Sequence, residues 1–249
     1  MAPALRAPRA RRSLVALAPR AGSRSALGAV PAARLVTVPE LYDYDDLRRR
    51  SDASVTVVRP QAAALVLGSS QSVELFDPAR CEMSRRRRRG GGGVVLVSPG
   101  DLWVDWWIPV GDSRWRGDAR ESSQLVGQWW ASALAPLVHE PLVVHRGGLE
   151  GDASHRVVCF AGRGPGEVFV GGRKVVGVTQ WRVREGVFLS SMVPARDSRD
   201  VLDCLREVPA GLAAALDHHT VTSLGIDASA VERVLAASGQ WAVGPSPTL

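Results

Sequence analysis

Lysine is all but missing from this sequence. Of its 31 lysine and arginine side chains, Lys174 is the one lysine. Arginine does not substitute for lysine where a compact ammonium must meet a single oxygen, so a solitary lysine among arginines is a candidate for one that chemistry requires. Biased codon usage with one chance survivor would leave the same count. Cysteine is scarce as well. Cys81, Cys159 and Cys204 are odd in number and widely spaced, which excludes a disulfide framework and gives no paired metal-ligand spacing. The five histidines are scattered, with only His218 and His219 adjacent, and neither HExxH nor CxxC occurs; no metal site is expected. This cysteine usage suits a reducing compartment and a cytoplasmic location. No run approaches the ~18 to 20 apolar residues of a membrane-spanning helix, so no membrane partner is expected.

What is present suffices for one domain: 249 residues, 45% of them hydrophobic, can bury a real core. The net charge of +6 raises nucleic acid or an acidic partner as candidates, yet much of it sits in two places. One is a leader without acidic residues, the other the run Arg85–Arg89. Residues 1–38 are expected to form a basic, disordered leader, and a mitochondrial location follows if that leader is a transit peptide. Residues 39–245 are expected to form a single domain.

Apolar periodicity predicts a short helix over Pro39–Arg50, a buried strand over Ala62–Leu67 ending at Gly68, and a short helix feeding a strand over Asp77–Arg89. Val94–Val97 and Leu102–Ile108, joined by the turn Ser98–Asp101, read as a hairpin. The long helix falls at Ala119–Val138. Strands follow at Val157–Phe160, Glu167–Val170, Lys174–Val183 and Val187–Val193, and helices at Arg199–Glu207 and Ala228–Ala237. Strands interrupted by one long helix make an α+β domain around a central antiparallel or mixed sheet packed by helices.

Arg85–Arg89 followed by Gly90–Gly93 is open to three readings: a nucleic-acid-binding tail, a flexible linker, or a backbone loop approaching a phosphate-bearing ligand. In the third, N–H groups converge because no Cβ intervenes, and the arginines neutralise charge. The run occurs once and passes straight into a strand and a tryptophan-rich segment, which weighs against tail and linker. Gly171-Gly172 predicts a tight turn that puts Lys174 at the start of a strand with its ammonium over the sheet, while Gly177 permits close approach of a ligand or another backbone. An ammonium there can stabilise charge as an acyl phosphate forms or is attacked. A solvated hairpin lysine is the alternative.

The ordered series Leu65-Val66-Leu67-Gly68, Arg88-Arg89-Gly90-Gly91-Gly92-Gly93-Val94-Val95, Gly100-Asp101-Leu102-Trp103-Val104-Asp105 and Gly172-Arg173-Lys174-Val175-Val176-Gly177 resembles the lipoate-protein ligase A family of the biotin/lipoate protein ligase class. The resemblance implies a fold akin to class II aminoacyl-tRNA synthetases and biotin synthetase, with residues 39–245 as the catalytic domain. It implies that Arg88, Arg89, Gly91, Gly92 and Gly93 face an acyl-adenylate, that Asp105, Gly172 and Gly177 belong to the substrate site, and that Lys174 contacts the acyl carbonyl and phosphate. ATP and magnesium are then the cofactors and lipoate the substrate. The implied partners are lipoyl carrier domains of 2-oxoacid dehydrogenases or glycine cleavage H protein, with no nucleic acid. Lipoate and MgATP give lipoyl-AMP, and a carrier lysine displaces AMP.

Val157-Val158-Cys159-Phe160 stands where such ligases carry an Arg-Asn-Asp stretch. Its Cys-Phe pair is similar to the cysteine-dependent octanoyltransferases of the same fold, which take an octanoyl group from acyl carrier protein without a cofactor. On that route Cys159 is the nucleophile, and Lys174 lowers its pKa while holding the thioester oxygen; packing as a small hydrophobe is the alternative. Alternation sends Trp103, Asp105 and Trp107 to one face of their strand and Trp106 to the other. Core packing and an apolar wall for a dithiolane or octanoyl tail are both open to these rings. Two other classes compete: a non-catalytic acyl-binding relative, and an RNA-binding protein using Arg85–Arg89.

Overall fold

Both faces of the strand Leu102–Pro109 are buried at every position, and the rest of the domain is arranged to cover them. The computed structural model describes residues 34–36 and 44–219; residues 1–33 of the expected leader and the expected helix at Ala228–Ala237 lie outside the described residues, while residues 34–36 of that leader form a strand paired with the domain. The chain runs β1 (Arg34–Val36), α1 (Tyr44–Arg49), β2 (Ser54–Pro60), β3 (Ala64–Leu67), β4 (Ser84–Arg87), β5 (Val95–Val97), β6 (Leu102–Pro109), α2 (Ala119–Leu134), β7 (Leu142–Val144), β8 (Val168–Val170), β9 (Arg173–Val183), β10 (Gly186–Val193) and α3 (Leu212–His219). Among the described residues no helix is long and apolar enough to cross a membrane.

Seven strands form the main sheet in the order β1-β2-β6-β10-β9-β8-β7, antiparallel except at β1-β2, and three form a small sheet, β4-β3-β5. Each face of the main sheet has its own core. Val104, Trp106 and Ile108 of β6 pack with Val187 and Leu189 of β10 against Val126, Trp130 and Leu134 of α2. Trp103 and Met192 face the other way, towards Leu65, Leu67 and Val97 of the small sheet and Leu212 and Leu216 of α3. Two-residue alternation along β6 therefore sends Trp103 and Trp106 to different cores. The α2 face is fixed by a saturated polar contact as well as by area. The Ser191 hydroxyl accepts from Trp106 Nε1 (3.2 Å) and Trp130 Nε1 (2.8 Å) and donates to the Val104 carbonyl (3.0 Å), which leaves neither indole N–H stranded. Asp118 caps α2, its carboxylate accepting from the N–H groups of Arg120 and Glu121.

Several expectations are corrected. Val94–Val97 and Leu102–Ile108 are not hairpin partners: β5 pairs with β3, while β6 pairs with β2 and β10. The turn between them exists, with Asp101 accepting from the N–H groups of Ser98 (2.6 Å) and Ala195 (2.8 Å), but it hands the chain from one sheet to the other. A strand with tryptophans on both faces needs cover on both, and the sheet centre supplies it where a three-residue neighbour cannot. Val157–Phe160 is not a strand. Only Val158 bridges to Val94, and Cys159–Ala161 turns as a 3-10 segment that drives Phe160 into the core. Asp77–Arg89 holds no helix, only turns and then β4, and Arg199–Glu207 contains a 3-10 segment, Ser198–Cys204, instead of an α-helix. Strands β1, β2 and β7 were not foreseen.

The Gly171-Gly172 turn joins β8 to β9 with φ of 55° and 81°, the two positive values of a type I′ hairpin that glycine adopts at no steric cost. Beyond it the register shifts: Val168 pairs with Val176, but Phe169 pairs with Lys174. Val175 is therefore an inserted residue, and Val175 and Val176 both bury in the α2-side core. The bulge reverses the parity of β9. Without it Lys174 would share the α2 face with Val176 and Val178; with it the ammonium crosses to the side of Gly177 and Phe160.

Candidate active site

The polyglycine segment is held from behind by an arginine. Arg88 is 5% exposed, and its guanidinium donates to the carbonyls of Val66 (3.0 Å), Gly91 (2.7 Å) and Gly93 (2.8 Å). Arg88 also lines the small cavity under the cleft, and beyond any ligand contact it positions the loop, its donors spent on these carbonyls, and adds positive charge beneath it. Two close approaches fix the loop further. A Cβ on Gly68 would run into the Gly92 carbonyl, and one on Gly93 would lie 2.6 Å from the Val158 carbonyl carbon. The segment carrying Cys159 is thereby tied to the loop, with Val94 N–H donating to Val157 O (2.8 Å) and Cys159 N–H to Val94 O (2.9 Å). The Thr179 hydroxyl completes the frame by donating to Gly91 O (2.9 Å).

Lys174 faces this frame. Its side chain is 1% exposed, and Nζ donates to the Cys159 carbonyl at 2.7 Å, pairs with Glu167 Oε2 at 2.7 Å and lies 5.5 Å from the Phe160 ring centre. Glu167 also accepts from Gly164 N–H at 2.5 Å. Burial pushes the Glu167 carboxyl above its ordinary value against the pull of the Lys174 ammonium, and burial likewise pushes the Cys159 thiol up, with Lys174 opposing and Glu167 reinforcing the rise. An ammonium already matched by a carboxylate has little left with which to create a thiolate.

These groups share one cleft of about 500 Å³, which brings together Gly91, Gly92, Gly93, Cys159, Glu167 and Lys174. Beneath it a cavity of about 30 Å³ is walled by Trp103, Phe160, Gly177 and Met192, with Cys159 and Thr179 at the junction of the two. A polar cleft carrying the ammonium, joined to an apolar pit at the Cys159 thiol, suits a ligand with a charged head and a hydrocarbon end.

Comparison with solved structures identifies the architecture. A crystal structure of lipoate-protein ligase A bound with ATP is 17% identical, with a TM-score of 0.59 over 79% of this chain and 76% of that one. A Thermoplasma acidophilum protein assigned as a lipoate protein ligase, with bound lipoic acid, is 16% identical, with a TM-score of 0.57 over 79% and 76%. A structure from the analysis of an archaeal lipoylation system, a bipartite lipoate protein ligase and its E2 lipoyl domain from the same organism, is 14% identical, with a TM-score of 0.57 over 84% and 82%. This chain has the lipoate/biotin protein ligase catalytic-domain fold. By sequence, neither a family profile nor a characterised protein matches it.

On this ligase fold the sequence-expected residues separate. Lys174, Cys159 and Gly91–Gly93 meet in the cleft, and Gly177 lies on the cavity beneath it. Arg89 does not join them: it is exposed, its N–H donating to Tyr44 Oη (3.0 Å) and its guanidinium lying over the Tyr44 ring, because the strand before it spends its pairing on β3. Asp105 stands outside the cleft too. It accepts from Trp103 Nε1 (2.6 Å) and so positions the ring that walls the cavity. Gly172 serves the turn and borders a separate surface groove. Glu167 was missed by sequence reasoning, although a carboxylate at the head of a valine-rich strand is a readable signal of a buried partner. His155 and Arg163, both lining the cleft, sit in irregular segments where periodicity says nothing.

Gly68 offers a direct check of the loop. Gly68→Ala will push the Gly92 carbonyl away, costing about 1 to 3 kcal/mol as overpacking does and loosening the Gly91–Gly93 loop. Thermal unfolding together with nucleotide titration reads this; unchanged melting and binding would show that the close approach is unimportant.

Proposed function

We propose that this protein activates a lipoyl- or octanoyl-type acid with ATP as its acyl-adenylate and transfers the acyl group to a lysine of a lipoyl carrier domain, in the cytoplasm or the mitochondrion. The observation that carries the reading is the single cleft in which a buried lysine ammonium meets a polyglycine loop above an apolar pit, on a fold shared with ligases solved with ATP and with lipoic acid and with a ligase of a lipoylation system that includes an E2 lipoyl domain.

The loop fits a phosphate. Gly91 faces open space, and among the described residues the N–H groups of Gly91, Gly92 and Gly93 donate to no protein acceptor, so they are available to an anion with the Arg88 charge beneath them. ATP supplies the activation of the carboxylate. The chain's part is to hold the phosphate on the loop and place the acyl carbonyl near Lys174, whose ammonium offsets charge on the carbonyl oxygen and on the departing phosphate oxygen. Among the described residues no group of three His, Cys, Asp or Glu could hold a metal ion; magnesium arriving with a nucleotide takes most of its ligands from phosphate and water, and Glu150 and Glu167 are the carboxylates lining the cleft. The cavity as it stands has room for about one water-sized group, so a hydrocarbon tail must displace a wall. Met192, unbranched and pliable, is the side chain best able to give way.

A second reading is favoured by one observation, the place of Cys159 at the mouth of the cavity: octanoyl transfer through a Cys159 thioester. The raised thiol and the Lys174–Glu167 pairing favour the adenylate route instead. Cys159→Ala is expected to keep lipoate-dependent ATP–pyrophosphate exchange within about threefold of the parent protein, as loss of a packing thiol should. An octanoyl group found on Cys159 by mass spectrometry, formed from octanoyl-acyl carrier protein without ATP, would establish the thioester route in its place. Acyl binding with neither activity would leave a non-catalytic relative.

A further inference from the structure

Beside the cleft lies an open groove of about 560 Å³, and among the described residues only His155 and Arg163 line both. The rest of the groove is formed by Gly171 and Gly172 of the β8–β9 turn and by Gly211, Ala214 and Ala215 at α3. A surface of glycine and alanine leaves room for the backbone of another chain to pass, and it leads to an imidazole.

That imidazole is oriented. His155 Nδ1 lies 2.7 Å from Asp152 Oδ1, an oxygen that also accepts from the Ser154 hydroxyl (2.6 Å), the Ser154 N–H (2.8 Å) and the His155 N–H (3.3 Å). These donors, the Ser154 hydroxyl foremost, hold the Asp152 carboxyl well below the usual carboxylate range. Nδ1 also lies 3.2 Å from the Asp152 N–H; the carboxylate contact, shorter at 2.7 Å, is the stronger of the two and keeps the ring proton on Nδ1, with the basic lone pair on Nε2. The ring is confined as well: a Cβ on Gly151 would stand 2.7 Å from His155 Cβ and 2.8 Å from Cγ, so no other residue type lets it sit there unshifted.

We propose that His155 is the general base for the acceptor amine, and that the glycine–alanine groove is where the amine-bearing chain enters. The inference rests on the acyl-transfer reading above and deepens it. A lysine ε-amine titrates near ~10.4 and arrives protonated at neutral pH. His155 Nε2 takes one proton from the ammonium; the nitrogen lone pair then attacks the acyl carbonyl carbon, forming the C–N bond. The bond from that carbon to the phosphate oxygen breaks, AMP leaves with the electron pair, and the second nitrogen proton passes to solvent. The other groups around the cleft are poor bases for this step. Lys174 is an ammonium paired with buried Glu167, and Arg156 and Arg163 accept no proton.

The test uses the full-length protein and synthetic lipoyl-AMP, with a lipoyl domain or hydroxylamine as acceptor. In His155→Gln, transfer to the lipoyl-domain lysine at pH 7 should fall about 100-fold, the size of a lost general base. The deficit should shrink as the pH approaches about 10, where the amine loses its proton unaided. Transfer to hydroxylamine, already neutral at pH 7, should stay at the parental rate, and Asp152→Asn should show the same pattern more weakly. Equal losses with both acceptors, or no loss with lysine, would overturn the role of His155. A parent protein that transfers nothing from lipoyl-AMP to the lipoyl domain would instead overturn the acyl-transfer reading itself.

Discussion

On the proposed acyl-transfer reading, Lys174→Met is expected to reduce transfer by about 10³ or more in kcat/KM, because it removes the one lysine ammonium of the cleft, a buried side chain placed to offset charge on the acyl carbonyl. The same change strands Glu167. Breaking a buried ion pair by deleting one partner costs about 3 to 5 kcal/mol, softened here because burial already inclines the Glu167 carboxyl to take up a proton. Stability and chemistry must therefore be separated. Lys174→Met combined with Glu167→Gln removes both charges, and replacing both members of a buried pair is often close to neutral. The double variant is expected to recover most of the lost stability in denaturant unfolding and none of the transfer activity. Recovery of both would make Lys174 a structural residue and remove the basis for an enzymatic reading.

Asp105→Asn is expected to stabilise the protein at alkaline pH. Burial raises the Asp105 carboxyl from 3.8 to about 7, against the hydrogen bonds from Ser190 and Trp103 that favour its charged form. Between those values the native protein holds a proton that the unfolded chain has released. Stability from this group is thus complete below pH 4 and is lost as the pH rises through 7. A rise of about 3 units corresponds to ~4 kcal/mol at most. Asparagine keeps an oxygen for the Trp103 indole N–H and has no proton to lose. Denaturant unfolding at pH 5 and pH 8 should show the variant gaining on the parent protein by up to ~3 kcal/mol between the two, since about 2 units of the rise lie above pH 5. An identical pH dependence in both would mean that the carboxyl is not buried in solution as it is here.

Much of this site could be read from the residues. The Gly171-Gly172 turn, the strand start at Lys174, the junction of Gly90–Gly93 with a strand and the alternation of Trp103 and Trp106 all rest on local rules, glycine's access to positive φ and the two-residue period of a strand. What failed was pairing. The assignment of Val94–Val97 to Leu102–Ile108 followed from proximity in sequence, whereas β6 took partners in β2 and β10, since only the centre of a large sheet covers two apolar faces. The Arg85–Arg89 run was readable as charge and as the end of a strand, but not as an internal clamp. The direction of the Arg88 guanidinium depends on carbonyls at Val66, Gly91 and Gly93 that converge only after folding.

By itself the sequence determined which side chains were available for chemistry: one lysine, a thiol, a run of glycines, in an order resembling that of lipoate-protein ligases. Tertiary structure alone decided which of them meet. One inserted residue, Val175, turns Lys174 from the α2 core to the cleft, and Glu167 becomes its partner because the hairpin folds back at that register. The physical reason is that strand parity and long-range pairing are settled by burial on both faces of a sheet at once, a condition that no local window of residues contains.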